Sequence, residues 1–336
     1  MSKKTKAKTK YDLRSSILLL LLITILLFSS TYAWFTANET VTISTLNVHI
    51  DAKNGLQIST DATTWKSIIE NTDITTAYKG HANSLPANME PVSTIGEIDS
   101  TTGYMKMYYG EVKPDEEDGG AYKLKATQTT DDAGKYIAFD MFLKVDSDTN
   151  LKLTDASSVV MKTGSTDKGI KQASRVAFCV EGTQPVGTSL DTIRALKGAT
   201  SFLETSPTVY IWEPNSNLHT TAAVAHARDT YGLTTTADGA AEALAYYGIS
   251  KDITEGIDLI DTNNGNNTAS FAKMTPTYST PINTATGKIT PTNVFSLKAG
   301  ITKVRVYMWI EGQDVDCENA ASGTDISFNV QLEVVK

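Results

Sequence analysis

The stretch Lys135–Val145, KYIAFDMFLKV, decides the fold class. Ile137, Phe139, Met141, Leu143 and Val145 recur at every second position, with Tyr136, Ala138, Asp140, Phe142 and Lys144 between them. A period of two places the sets on opposite faces of an extended strand. The pattern therefore predicts a half-buried strand with Phe139 facing the core. Val176, Phe178 and Val180 repeat it. So do Ile301–Glu311, with Val304, Val306, Met308 and Ile310 on one face, and Asp325–Val334, with Ile326, Phe328, Val330, Leu332 and Val334 on one face. A polar turn joins these last two, which predicts an antiparallel pair.

The rest of the chain fits around these strands. Tyr104–Tyr109 and Tyr122–Thr127 flank the acidic turn Pro114–Gly120 and read as a hairpin. Gly55–Ser59 is a short strand, Thr63–Asn71 one or two helical turns, and Ala77–Gly103, with Pro86 and Pro91, a surface loop. Leu190–Leu196, Thr220–Tyr231 and Ala237–Tyr247 are helix-compatible and are followed by Gly198, Gly232 and Gly248. The stretch from about 185 to 290 thus reads as a helical and loop insertion. The fold class is mainly β, an antiparallel β-sandwich carrying that insertion, preceded by an apolar N-terminal helix.

That N-terminal segment runs from a basic start, Lys3, Lys4, Lys6, Lys8, Lys10 and Arg14, through the apolar run Ile17–Phe28 to Ser29–Phe35. The order is that of an export signal or an uncut membrane anchor. Small residues at Thr31 and Ala33 permit cleavage between Ala33 and Trp34. Ser15–Phe35 is also about the 20 residues that a spanning helix needs. Either way the lysines stay in the cytoplasm, residues 34–336 form an extracellular domain, and residues 1–33 are signal peptide or anchor. Directly behind comes a strand, Thr40–Ile50, with Val41 and Ile43, then Leu46, Val48 and Ile50.

The formal net charge is −8. The first 14 residues hold six basic and one acidic residue, hence +5, leaving 24 basic against 37 acidic residues, or −13, for the rest. An acidic ectodomain is a poor partner for nucleic acid or anionic lipid. The cysteines are Cys179 and Cys317; they can form one disulfide in an oxidising exterior or remain two small buried residues.

Around Thr31, Tyr32, Ala33 and Phe35 the chain resembles the export region of camelysin/TasA-type surface proteins of Gram-positive bacteria. Val41–Ile50 matches in kind, although Thr45-Leu46 stands where that family often has Gly-Thr-Leu. The rest resembles ectodomains of uncharacterised surface proteins. The resemblance implies a dedicated signal peptidase, a jelly-roll-like sandwich and extracellular fibres of a biofilm matrix. Camelysin is described as a peptidase, yet no position here matches a catalytic motif.

The histidines, His49, His81, His219 and His226, lack His-Glu-x-x-His spacing. His219 and His226 read as exposed positions of an Ala-rich helix. Gly-x-Ser-x-Gly and a Walker loop are absent. No catalytic residue, cofactor or metal site is assigned. Asp146, Asp148 and Asn150 are weak Ca²⁺ candidates: they occupy the first ligand positions of an EF-type loop, but Leu151 replaces its glycine and Ser157 its final glutamate. The ordinary reading of such a turn is side-chain capping of the backbone. Asp314–Asn319 is a second acidic turn. Trp309, beside Tyr307 and Arg305 on the less apolar face of its strand, is the best surface aromatic for a glycan. Two functions remain open: a non-enzymatic surface or matrix protein assembling by β-strand addition into homo-oligomers or fibres, and a membrane-held ectodomain binding glycan or Ca²⁺.

Overall fold

A computed structural model describes residues 40–51, 55–116, 119–197, 208–214, 218–225, 248–258, 269–272, 277–280, 282–283, 285–317 and 323–335. The apolar segment and Ala33–Trp34 lie outside the described residues, as do His226 and Ala237–Tyr247. Among the described residues no helix is long and apolar enough to cross a membrane.

The fold is mainly β. In chain order the strands are β1 (Val41–Ile50), β2 (Gln57–Ser59), β3 (Ile68–Glu70), β4 (Asn88–Met89), β5 (Met107–Asp115), β6 (Ala121–Thr129), β7 (Ile137–Val145), β8 (Thr149–Leu153), β9 (Ser158–Met161) and β10 (Ser174–Gln184). They continue with β11 (Thr208–Pro214), β12 (Gly248–Ile249), β13 (Ile253–Asp258), β14 (Phe271–Ala272), β15 (Thr277–Thr280), β16 (Ile282–Asn283), β17 (Lys288–Ile289), β18 (Thr292–Leu297), β19 (Gly300–Ile310) and β20 (Asp325–Val335). Short helices among the described residues include α1 (Asn71–Thr75) and α2 (Leu190–Arg194), and residues 221–225, within the expected Thr220–Tyr231 helix, are also helical.

One sheet runs β18-β8-β20-β1-β3, with β4 also on β1 and β9 also on β20. A second runs β15-β11-β10-β19-β7-β2. They share one apolar core. Leu46, Val48, Phe328, Val330 and Leu332 of the first sheet pack with Phe139, Met141, Phe178, Val306 and Met308 of the second. Period two on both sheets makes this possible, since each gives one continuous apolar face to the other. A third sheet, β13-β6-β5, contains the expected hairpin.

Thr63–Asn71, read as helical turns, is not helical before Asn71: β3 takes Ile68–Glu70 and α1 begins at Asn71. Three further expectations change. First, β19 and β20 are not a pair: β19 lies between β10 and β7, and β20 lies between β1 and the β8 and β9 strands. Each alternates because each belongs to a different layer of the same core. Second, the β7 strand is buried on both faces. Phe142, opposite Phe139, packs with Ala62, Ile193 and Ile301. Residues 92–107 and the start of β5 cover the second sheet's outer face, where Val92, Met105 and Met107 meet Tyr136, Tyr307 and Trp309. The proline-punctuated segment is therefore a packed cover, and Trp309, fully buried, is no surface platform. Third, residues 185–290 do more than insert. α2 confirms the first helix, but β11 and β15 extend the second sheet and β13 extends the third.

Strand β1 sits inside its sheet. It pairs in parallel with β20 over eight residue pairs and antiparallel with β3 and β4 on its other edge. A bulge between Ile43 and Thr45 shifts the alternation, so Val41 and Leu46 both face the core.

Candidate functional site

Because the second sheet is a middle layer, the polar residues of its outer face are buried, and burial of an unpaired charge is costly. Arg305 on β19 is fully buried and donates from Nε and Nη2 to Asp131 Oδ2 at 2.8 and 2.6 Å, and from Nη1 to Asp140 Oδ1 at 2.8 Å. Its Nη2 also donates to the Ala82 carbonyl at 2.7 Å. Tyr136 donates to Asp131 at 2.7 Å and Tyr78 to Asp140 at 2.6 Å. Lys303 Nζ lies 3.5 Å from Asp140. Burial pushes the Asp140 carboxyl up, but the charges of Lys303 and Arg305 outweigh it and hold the group below its ordinary value. Burial and the neighbouring carboxylates push both tyrosine hydroxyls up, so they stay donors.

A second network fastens the turn after β19. Arg175 Nη2 donates to Asp314 Oδ2 at 2.5 Å and to Glu213 Oε1 at 2.7 Å. His219 Nδ1 and Asp316 Oδ2 are 2.6 Å apart, and the Thr220 amide donates to Asp316 Oδ1 at 2.9 Å. The Asp316 amide donates to Asp314 Oδ1 at 2.9 Å. His219, Asp314 and Asp316 thus bring donor atoms within 4.8 Å of one another. Each of the four aspartate oxygens already has a protein partner, which makes the group a clasp between this turn and residues 219–220. Burial pushes Glu311 up to about 7 and Asp316 to about 6, the latter helped by the charge of Asp314. Burial lowers the affinity of His219 for its proton, but the hydrogen bond to Asp316 and the surrounding carboxylates win and raise it.

Tyr78, Asp140 and Lys303 of the Arg305 network reach an open groove of about 630 Å³, which Lys79, Tyr104, Arg194 and Lys197 also line. The Arg194 guanidinium lies 4.7 Å from the Tyr78 ring centre and donates to the Asp61 carbonyl at 3.1 Å from Nε and 2.6 Å from Nη2. Tyr104 stacks on Arg305 at 4.3 Å. Gly103, at φ +76°, closes this wall: a Cβ there would lie 2.6 Å from Lys197 Cβ.

The candidates named from sequence have the following partners. Asp148 accepts from Lys298 Nζ at 2.9 Å and from the Ala299 amide at 3.0 Å, and Asn150 Oδ1 accepts from Ser296 Oγ at 2.5 Å. These contacts tie the turn containing Asp148 and Asn150 to the end of β18 and the residues after it. Cys179 and Cys317 are both buried and are not joined in a disulfide. They pack in different clusters, Cys179 on the outer face of the second sheet and Cys317 in the inter-sheet core, so the sheet itself separates them. His219, read as exposed, has a side chain only 7% accessible. Asp140, Lys303, Arg305 and Arg175 were missed because a charged alternate face ordinarily means solvent. For Asp140, Lys303 and Arg305 the one sequence signal is that both signs interleave with large aromatics along β7 and β19; Arg175 stands at the start of β10.

No protein-family model, curated protein or solved structure matches the chain.

Proposed function

We propose that this is an exported bacterial surface or matrix protein of the camelysin/TasA kind, with a jelly-roll-like sandwich behind its signal or anchor helix. It works by assembly through its strands and without catalysis. The observation that carries the reading is the setting of β1. It follows the export segment in sequence, yet it occupies an interior place, bonded on both edges, with Val41, Leu46, Val48 and Ile50 in the core. A sheet that lacks this strand exposes the edge of β20 and an apolar slot, and such an edge accepts an equivalent strand from a neighbour. Supply from the next copy is head-to-tail and therefore builds an open filament. While the apolar helix is attached, the strand is tethered; cleavage after Ala33 frees its end.

The test compares a chain beginning at Trp34 with one beginning at Asp51. The longer chain should form filaments at micromolar concentration by electron microscopy, and the shorter should remain unassembled and less stable. If the longer chain stays monomeric at all concentrations and salts, the assembly reading fails. The groove beside Arg305 favours a second reading, a membrane-held binding domain, which that outcome would promote.

A further inference from the structure

We propose that the groove between Tyr78 and Tyr104 binds a carboxylated sugar, a uronate residue within an acidic polysaccharide. This does not depend on whether β1 exchanges between copies.

The charge balance is the first argument. The chain is acidic, yet Lys79, Arg194, Lys197 and Lys303 line this groove against Asp140 and Asp191. Asp140 is occupied by Arg305, Tyr78 and Lys303. Among the described residues no carboxylate lies within ion-pair distance of Lys79 or Arg194. Arg194 is half-buried, and among the described residues its one hydrogen-bond acceptor is the Asp61 carbonyl, reached from Nε and Nη2 and not from Nη1. A partly desolvated guanidinium suits a carboxylate, which it can bind through two parallel hydrogen bonds.

The second argument is shape. Tyr104 presents a half-buried ring fixed by the stacking of one face on Arg305, and Tyr78, held by its hydroxyl on Asp140, keeps Arg194 at the groove wall over its ring. A fixed ring offers an apolar surface to the C–H face of a pyranose at little entropic cost. Thr101, Thr102 and Asp191 at the rim supply groups for sugar hydroxyls. The cavity, about 630 Å³, falls in the range of small-ligand sites and is far larger than a free anion requires. Two carboxylates in the same wall disfavour a densely charged polyanion such as nucleic acid, whereas one charge per sugar ring is compatible with them.

The experiment uses the full chain in detergent micelles, titrated with trigalacturonate by isothermal calorimetry. Maltotriose is the neutral control and sodium sulfate the free-anion control. Trigalacturonate should bind, weakening as salt is raised. Maltotriose should bind at least about tenfold more weakly, and sulfate at equal concentration should not displace the uronate. K79E, on an exposed side chain, and R194Q should each weaken binding about tenfold, the loss of one charge-assisted contact. Absence of binding, unchanged affinity in K79E, or displacement by sulfate would overturn the proposal. Unchanged melting of K79E would show that its effect is on the groove and not on folding.

Discussion

Replacing Arg305 by methionine removes the one cation that, among the described residues, pairs with Asp131, and one of the two that pair with Asp140. Asp131 would keep only the Tyr136 hydroxyl, and Asp140 would keep Tyr78 and the more distant Lys303. Four donated hydrogen bonds disappear, and at least one carboxylate is left buried without a counter-charge. Breaking a buried pair in this way costs about 3–5 kcal/mol. The cost depends on pH in a definite sense. In R305M Asp140 loses one of the two cations that hold its carboxyl down against burial, so its folded-state pKa should rise, the folded state should bind more protons, and stability should fall as pH rises through that window. The penalty should therefore be largest at pH 7 and above and shrink toward pH 4.5. R305M/D131N, which removes the most exposed consequence, should recover most of the loss. Urea denaturation followed by tryptophan fluorescence measures this directly, because Trp212 and Trp309 are both fully buried. A penalty below about 1 kcal/mol at pH 7, or an equal penalty at pH 4.5 and 7, would refute the reasoning that this network is a desolvated, mutually neutralising unit.

Three further outcomes follow from burial and charge. Phe139→Ala and Phe142→Ala should each destabilise by about 3–5 kcal/mol in the same assay, since both faces of β7 are packed; a small loss at Phe142 alone would mean that its face is open to solvent. The wild-type chain should be more stable at pH 5.5 than at pH 8. Glu311 and Asp316 are acids whose folded pKa values are raised to about 7 and about 6, so they disfavour folding as pH climbs through those values, and His219, a base with a raised pKa, loses its contribution over the same rise; a flat or reversed profile would contradict the assignment of these shifts. Cys179 and Cys317 should be silent to a thiol reagent in the native state and both react in urea without any reductant, whereas a missing pair of thiols in urea would reveal a disulfide.

The strands themselves were legible because period two is a local property. KYIAFDMFLKV, the two C-terminal strands and β1 all stand where alternation puts them, and even the bulge near Thr45 shows in the sequence as the step from Ile43 to Leu46. Pairing was not legible. Two adjacent alternating strands look like a hairpin whether they bond to each other or face each other across a core, and β19 and β20 do the latter. Nor does alternation say what covers the second face. Asp140, Lys144, Lys303 and Arg305 read as solvent-facing, but the segment 92–107, itself without periodicity, lies over part of that sheet and turns a charged face into a buried network. The groove escaped notice for the same reason: Tyr78, Tyr104, Arg194 and Lys303 come from four separate parts of the chain, and only the packing of the cover and α2 against β19 assembles them.

The central claim, that β1 completes the fold and can be supplied by a neighbour, is tested most directly by trapping its partner. Asn47 on β1 and Asn329 on β20 are register partners, and adjacent strands lie about 4.8 Å apart, within reach of a disulfide. N47C/N329C, begun at Trp34 and oxidised under dilute conditions, should close within one chain. Oxidised after incubation at micromolar concentration, it should give a ladder of covalently linked chains that runs with the filaments. A cross-link confined to single chains at every concentration would contradict the account.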